Sequence, residues 1–130
     1  MPRYFTVEEA NQALPRLRQW LPRLRARRRS LDVAQHKLAD LAVKAAANGN
    51  LVEEEVLSTQ REAQRLAEEL NKLVTRINGL GCQLKDMEQG LVDFPALREG
   101  REVYLCWRLG EEEVAFWHEV QAGFGGRQPL

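Results

Sequence analysis

Four ionisable side chains in the last third of the chain are of types that bind ligands or transfer protons: Asp93, His118, Glu119 and Arg127. A metal ion needs three or four histidine, cysteine or carboxylate donors that converge on one point. No two of these donors stand at ligand spacing on one element, and His118 and Glu119, as neighbours on a strand, point to opposite faces. We therefore expect no metal and no cofactor, with His118 as the ligand if a metal does bind.

Each of these side chains also has a purely structural interpretation. His118 suits a buried core position opposite Leu105, and Asp93 suits the end of a strand, where its carboxylate can bond the following turn. The glycines before Arg127 could form a backbone nest for a phosphate or carboxylate. Their pattern is neither a P-loop nor a dinucleotide-binding fingerprint. A small-ligand or metal site on these side chains, with or without enzymatic activity, is therefore one hypothesis and not a conclusion.

A basic run lies nearer the N-terminus and contains Arg23, Arg25, Arg27, Arg28 and Arg29. Successive residues of a helix are about 100° apart, so the run covers most of the helix circumference. It favours a solvated face with salt bridges to an acidic partner helix over a nucleic-acid surface, which needs several phosphate contacts. Nucleic-acid binding through these arginines is a second hypothesis, and Trp20 is the one aromatic residue that accompanies them.

The basic run lies in a part of the chain whose sequence predicts helices. Thr6 and Glu9 have the spacing of a capping box, which predicts a helix start. Pro15 and Pro22 fall within the periodic pattern that follows, and each removes a backbone donor. We therefore expect a short helix over residues 7–13 and a long helix that starts again near Pro15.

The long helix is predicted to end at about residue 47, because Asn-Gly-Asn at 48–50 tolerates the left-handed conformation of a helix C-terminus. A second helix is predicted over 53–78, and the short loop makes the two helices antiparallel neighbours within residues 1–80. Two helices share a single seam, so we expect a homodimer to cover it. The seam residues recur at coiled-coil spacing and are Leu17, Leu24, Leu31, Leu38, Leu66, Leu70, Leu73 and Ile77.

The hydrophobic period changes from seven to two after Gly81, which predicts a small antiparallel β module over 81–130 with a glycine-rich tail. The predicted strands are 82–87, 91–94 closed by Pro95, 101–109 and 114–120. Pairing Leu109 with Val114 would place His118 on the core face of the sheet. The fold class expected is α+β, a long helical hairpin followed by this module.

Composition excludes several classes of protein. Hydrophobic residues are 44% and charged residues 29% of the 130, as in globular proteins. The 19 Lys and Arg balance the 19 Asp and Glu, so no overall positive charge attracts nucleic acid or a membrane. The chain has no apparent signal peptide, no apolar run of about 20 residues and two cysteines without CxxC spacing. We expect a cytoplasmic protein that does not contact a membrane.

Several motifs resemble a known family. They are Phe-Thr-Val-Glu-Glu-Ala-Asn at 5–11, Gly-Leu-Val-Asp-Phe-Pro at 90–95, Gly-Arg-Glu-Val-Tyr-Leu-Cys-Trp at 100–107, Trp-His at 117–118 and Ala-Gly-Phe-Gly-Gly-Arg-Gln-Pro at 122–129. Together they are similar to the bacterial family called domain of unknown function 2203, over essentially the whole chain. The resemblance implies a shared fold and brings no activity with it.

The leading functional hypothesis follows from the heptads. No spacing in the sequence is typical of a catalytic site, so we expect a protein without enzymatic activity. The long hairpin predicts a homodimeric interaction or scaffold protein whose β module binds another protein. The identity of that partner is left open.

Overall fold

The computed structural model describes residues 3–48 and 53–130. Within these ranges two helices are followed by a five-stranded antiparallel sheet, which confirms the predicted α+β class. The elements are α1 (Val7–Asn48), α2 (Glu53–Gly79), β1 (Gln83–Asp86), β2 (Leu91–Arg98), β3 (Arg101–Arg108), β4 (Phe116–Glu119), a 3₁₀ turn (Phe124–Gly126) and β5 (Gln128–Pro129). The Gly-Asn part of the predicted stop signal at 48–50 lies outside the described residues. Neither helix is long and apolar enough to cross a membrane.

The start of α1 is set by the predicted capping box. The Thr6 N–H donates to Glu9 Oε1 at 2.9 Å, and the Glu9 N–H donates to Thr6 Oγ1 at 3.1 Å. Hydrogen bonding to the carboxylate from the Thr6 backbone N–H, and secondarily from the Thr6 side chain, holds the pKa of Glu9 below its usual value. Two backbone donors that have no partner within the helix are thereby satisfied.

The prediction of a short helix over 7–13 is wrong, because α1 is continuous from Val7 to Asn48 with Pro15 and Pro22 inside it. Each internal proline costs roughly 3 kcal/mol relative to alanine. Burial outweighs this cost, because the leucines next to the prolines, such as Leu14 and Leu21, are almost completely buried. Both proline rings face solvent and displace no core side chain.

The predicted seam is the core of a single chain. Its leucines on α1 and α2 pack against each other and against one face of the sheet. Leu38 is half-buried. The buried members are Leu17, Leu24, Leu31, Leu66, Leu70, Leu73 and Ile77. The chain therefore covers these side chains by itself, and the argument that a partner copy must cover them does not hold.

Pro95 does not close β2, as was predicted, but lies inside it opposite Tyr104. Beyond Asp93, the strand β1 no longer pairs with β2, so this edge of β2 is free of a neighbouring strand. The Pro95 carbonyl faces that edge and accepts a hydrogen bond from the Phe5 N–H at 2.7 Å. The missing proline N–H therefore costs no ladder bond.

The predicted register of β3 and β4 is wrong by one residue. Leu105 pairs with Trp117 and Tyr104 pairs with His118. Val114 does not take its predicted place opposite Leu109, because its N–H donates to Asn11 Oδ1 of α1 at 2.8 Å. A one-residue shift turns every side chain of a strand to the other face. Trp117 therefore joins the helix-facing core, while His118 faces away from the helices.

Candidate metal centre

The outer face of the sheet carries a buried cluster of three chemically distinct donors. Asp93 on β2, Cys106 on β3 and His118 on β4 are brought together because Asp93 pairs with Cys106 and His118 lies diagonally across β3. Their donor atoms all lie within 4.8 Å of one another. Asp93 is 3% exposed and His118 is 1% exposed. The expectation that these donors stay isolated is therefore wrong for Asp93 and His118.

The hydrogen bonds of His118 define its protonation. Its Nδ1 lies 2.8 Å from the carbonyl oxygen of Glu119, which only accepts, so Nδ1 carries a proton. Its Nε2 lies 3.0 Å from Asp93 Oδ1. Two acceptors at that distance would repel each other, so one proton must lie between the imidazole and the carboxyl group. The cluster thus holds His118 in an orientation that aims Nε2 at its neighbours.

Cys106 is the third member of the cluster, and its side chain is fully buried. Burial, followed by the negative charge of Asp93, raises the pKa of the Cys106 thiol to about 12. The thiol is therefore protonated near neutral pH, which argues against a nucleophilic role for it. A metal ion, however, can displace such a proton by binding the sulfur directly.

The C-terminal segment is fastened over the same face by Arg127. Its guanidinium lies over the rings of Phe116 and Phe124, 4.1 and 4.6 Å from their centroids. Nη2 donates to both carboxylate oxygens of Glu111 at 2.7 and 2.8 Å. It also lies 3.3 Å from the Cys106 carbonyl oxygen. Arg127 therefore ties the C-terminal segment to β3 beside the cluster. The Glu111 carboxylate neutralises the charge of Arg127.

Glu119 does not join the cluster through its side chain. Its carboxylate pairs with Arg101 at 2.6 Å, and it contributes only its backbone carbonyl to His118. Of the four residues predicted for a ligand site, Asp93 and His118 therefore meet, Arg127 lies beside them and Glu119 supports His118. Cys106 was missed because its role depends on a strand pairing that has no local sequence signal.

The basic run of α1 is divided among several faces. Three of its members pair with carboxylates: Arg27 with Glu69, Arg28 with Asp32 and Arg29 with Glu88. Arg23 and Arg27 line a groove between α1 and α2. The Nε of Arg25 is buried and has no hydrogen-bond partner among the described residues. The run therefore does not act as one continuous surface.

Comparison with known proteins gives one match. A family model described as "Uncharacterized conserved protein (DUF2203)" matches residues 3–130. No curated protein and no solved structure matches the chain.

Proposed function

The chain belongs to the DUF2203 family of uncharacterized conserved proteins, and on this premise we propose that it binds a divalent transition-metal ion of the zinc type through Asp93, Cys106 and His118. The observation that carries the proposal is the convergence of one oxygen, one sulfur and one nitrogen donor from three adjacent strands within 4.8 Å. A thiolate with an imidazole and a carboxylate is a ligand set that suits zinc.

The spacing of two of the three donors is close to that of a zinc site. Zinc binds nitrogen and oxygen at about 2.0–2.2 Å, so two ligands at a tetrahedral angle are about 3.3 Å apart. His118 Nε2 and Asp93 Oδ1 are 3.0 Å apart, which requires a movement of a few tenths of an ångström. The hydrogen bond from His118 Nδ1 to the Glu119 carbonyl supplies the outer support that metal-binding histidines usually have.

Charge balance also favours a divalent ion. The metal-free cluster holds one proton on Cys106 and one proton between Asp93 and His118. A divalent cation that replaces both protons leaves the net charge of this buried site unchanged, so no uncompensated charge is created in a region that solvates ions poorly. Metal affinity is then expected to rise with pH, because binding releases protons.

The bound ion would link β2, β3 and β4 on the face opposite the helices. Three protein ligands leave a fourth tetrahedral position, which is the arrangement of zinc sites that bind a further ligand. The depth of the cluster and the tail fastened by Arg127 limit access to that position. We therefore propose a metal-binding protein in which the ion stabilises the sheet.

The first prediction concerns metal content. Protein reconstituted with zinc and dialysed is expected to retain about one equivalent by elemental analysis, in keeping with a single three-ligand site. His118→Ala and Cys106→Ala should each lose it. Cobalt substitution should produce a thiolate-to-cobalt charge-transfer absorption that disappears in Cys106→Ala.

The matched control is His36→Ala, because His36 is the other histidine of the chain and is exposed on α1. This variant should bind the metal as the wild type does. A reconstituted wild type that remains metal-free would contradict the proposal, as would His118→Ala retaining the metal.

A second candidate function is a cytoplasmic homodimeric scaffold. Support comes from the distal part of the hairpin, where Val33 is 69% exposed beside an open groove of about 420 Å³ between α1 and α2. The groove has an apolar floor at Ala34 and Leu66. Both cysteines are free and buried, as is usual in a reducing compartment. We propose a second copy of the chain as the occupant of this groove.

A further inference from the structure

A groove on the proximal half of the hairpin concentrates positive charge. It has a volume of about 170 Å³ and lies between α1 and α2. Its lining includes four cationic side chains and a single carboxylate. The lining residues are Arg23, Arg27, Lys72, Arg76, Glu69 and Leu73. The two arginines are one helical turn apart on α1, and Lys72 and Arg76 are one turn apart on α2, so the four charges form two facing rows.

The single carboxylate does not neutralise this groove. Glu69 pairs with Arg27 inside the groove and also with Arg65 on the neighbouring turn of α2, so its charge is divided between two guanidinium groups. Among the described residues, no carboxylate lies within ion-pairing distance of Arg23, Lys72 or Arg76. Three cations therefore face solvent in this groove without an acidic partner among the described residues.

The positive row continues towards the N-terminus of α1. Arg16, Trp20, Arg23 and Arg27 are spaced at i, i+4, i+7 and i+11, and therefore share one face of the helix. Arg16 lines a separate groove, together with Arg3, Glu9 and Leu80. The row from Arg16 to Arg27 is about 17 Å long at 1.5 Å per residue.

Trp20 adds an aromatic ring to this row. It is half-buried and packs with its inner part against the hydrophobic core, so its position is fixed. Cationic side chains that alternate with an anchored aromatic ring are the combination that binds single-stranded nucleic acid, in which phosphates contact the cations and a base stacks on the ring. A base in a duplex is already stacked and cannot reach such a ring.

We propose that a single strand of nucleic acid binds along this groove, with its phosphates on Arg16, Arg23, Lys72 and Arg76 and one base on Trp20. Arg27 forms an ion pair with Glu69 at the distal end of the groove. The strand follows the shallow channel between two helices whose axes are about 8–10 Å apart. The site lies on the hairpin, away from the outer face of the sheet, and does not depend on a metal ion.

The experiment measures binding by fluorescence anisotropy, with labelled thymidine DNA and uridine RNA strands of about 20 nucleotides. Four phosphate contacts predict a slope of log affinity against log salt of about −2.8, so affinity falls roughly 50-fold between about 50 and about 200 mM salt. The double variant Arg23→Gln/Arg76→Gln should reduce the slope by about half and weaken binding at low salt by more than tenfold. Trp20→Phe keeps an aromatic ring, whereas Trp20→Leu should weaken binding several-fold.

Arg28→Gln is the matched control, because Arg28 is exposed on the same helix and pairs with Asp32 outside the groove. It should bind like the wild type, and circular dichroism should confirm that every variant is folded. The proposal is overturned if the double variant binds like Arg28→Gln, if affinity does not depend on salt, or if a duplex of the same length binds more tightly than the strand. The DNA and RNA arms identify which strand is preferred.

Discussion

At the scale of single residues, the buried Asp93 and His118 of the sheet pair with each other, whereas Arg127 Nε is buried with no hydrogen-bond partner among the described residues. Asp93 and His118 share a proton, and Arg127 is held by Glu111 between two aromatic rings. Cys82 has no such pairing. It is buried between α2 and β1, and its thiol donates a weak hydrogen bond to the Ile77 carbonyl at 3.4 Å.

The ionisation of Cys82 leads to a prediction about alkaline stability. Burial raises the pKa of this thiol to about 11, above its value in the unfolded chain. At a pH between the two pKa values, the thiol is ionised in the unfolded chain but still protonated in the folded chain. The free energy of unfolding must then fall as pH rises, by up to about 1.4 kcal/mol per pH unit.

The measurement is urea unfolding of the wild type and Cys82→Ala at about pH 8.5 and about pH 10.5. The wild type should lose about 1.5 kcal/mol more than the variant over this interval, because all other alkaline groups are common to both. Equal losses would mean that the Cys82 thiol ionises in the folded chain as readily as in the unfolded one.

At the scale of elements, two internal prolines destabilise α1 locally, and the free energy gained from tertiary packing outweighs this cost. Pro15 and Pro22 lie inside a helix of 42 residues, and both are exposed. The apolar residues around them pack against α2 and the sheet, so the helix continues although two backbone donors are missing. The same competition between local and tertiary effects determines β4, which is shorter than its β-propensity predicts.

Replacing Pro15 should therefore stabilise the protein. Pro15→Ala restores an N–H that can donate to the Asn11 carbonyl, and it removes a steric conflict. It also makes the unfolded chain more flexible, which offsets part of the gain. The expected increase in the free energy of unfolding is about 1–2 kcal/mol, measured by urea denaturation.

Gln19→Ala serves as the comparison for Pro15→Ala, since Gln19 is exposed on the same helix. Its effect should remain within about 0.5 kcal/mol. If Pro15→Ala stabilises no more than this control does, the proline is accommodated without strain and the explanation given for α1 is incorrect.

At the scale of the whole molecule, the hairpin is longer than the sheet that covers it. Arg29 pairs with Glu88 in the turn between β1 and β2, and past that point Lys37 of α1 pairs with Glu55 of α2. Buried side chains such as Ala34 and Leu41 lie outside the main hydrophobic cluster there. The exposed apolar side chains Val33, Val43 and Leu57 also lie in this distal half.

The proposed homodimer is tested at this distal half. Val33→Glu should shift the molecular mass measured by light scattering from dimer to monomer, because it places a charge in the groove. Val43→Glu is a matched control, since Val43 is similarly exposed at 71% and does not line that groove. Leu31 would be unsuitable for this test, because its buried side chain belongs to the core of one chain.

A wild type that is monomeric at all concentrations would exclude the homodimer. A Val33→Glu variant that remains dimeric would exclude this groove as the interface. Neither result would affect the metal centre, whose ligands come from one chain.

The sequence by itself determined the features that depend on near neighbours. The capping box at Thr6, the heptads of the two helices and the existence of β1 and β3 follow from residues a few positions apart, because helix and strand periods are local. The tertiary structure alone decided three further features: the continuity of α1 through Pro15, the register of β4 and the meeting of Cys106 with Asp93 and His118. Each depends on contacts between distant residues, such as the hydrogen bond from Val114 to Asn11, and a single such contact can turn a strand over.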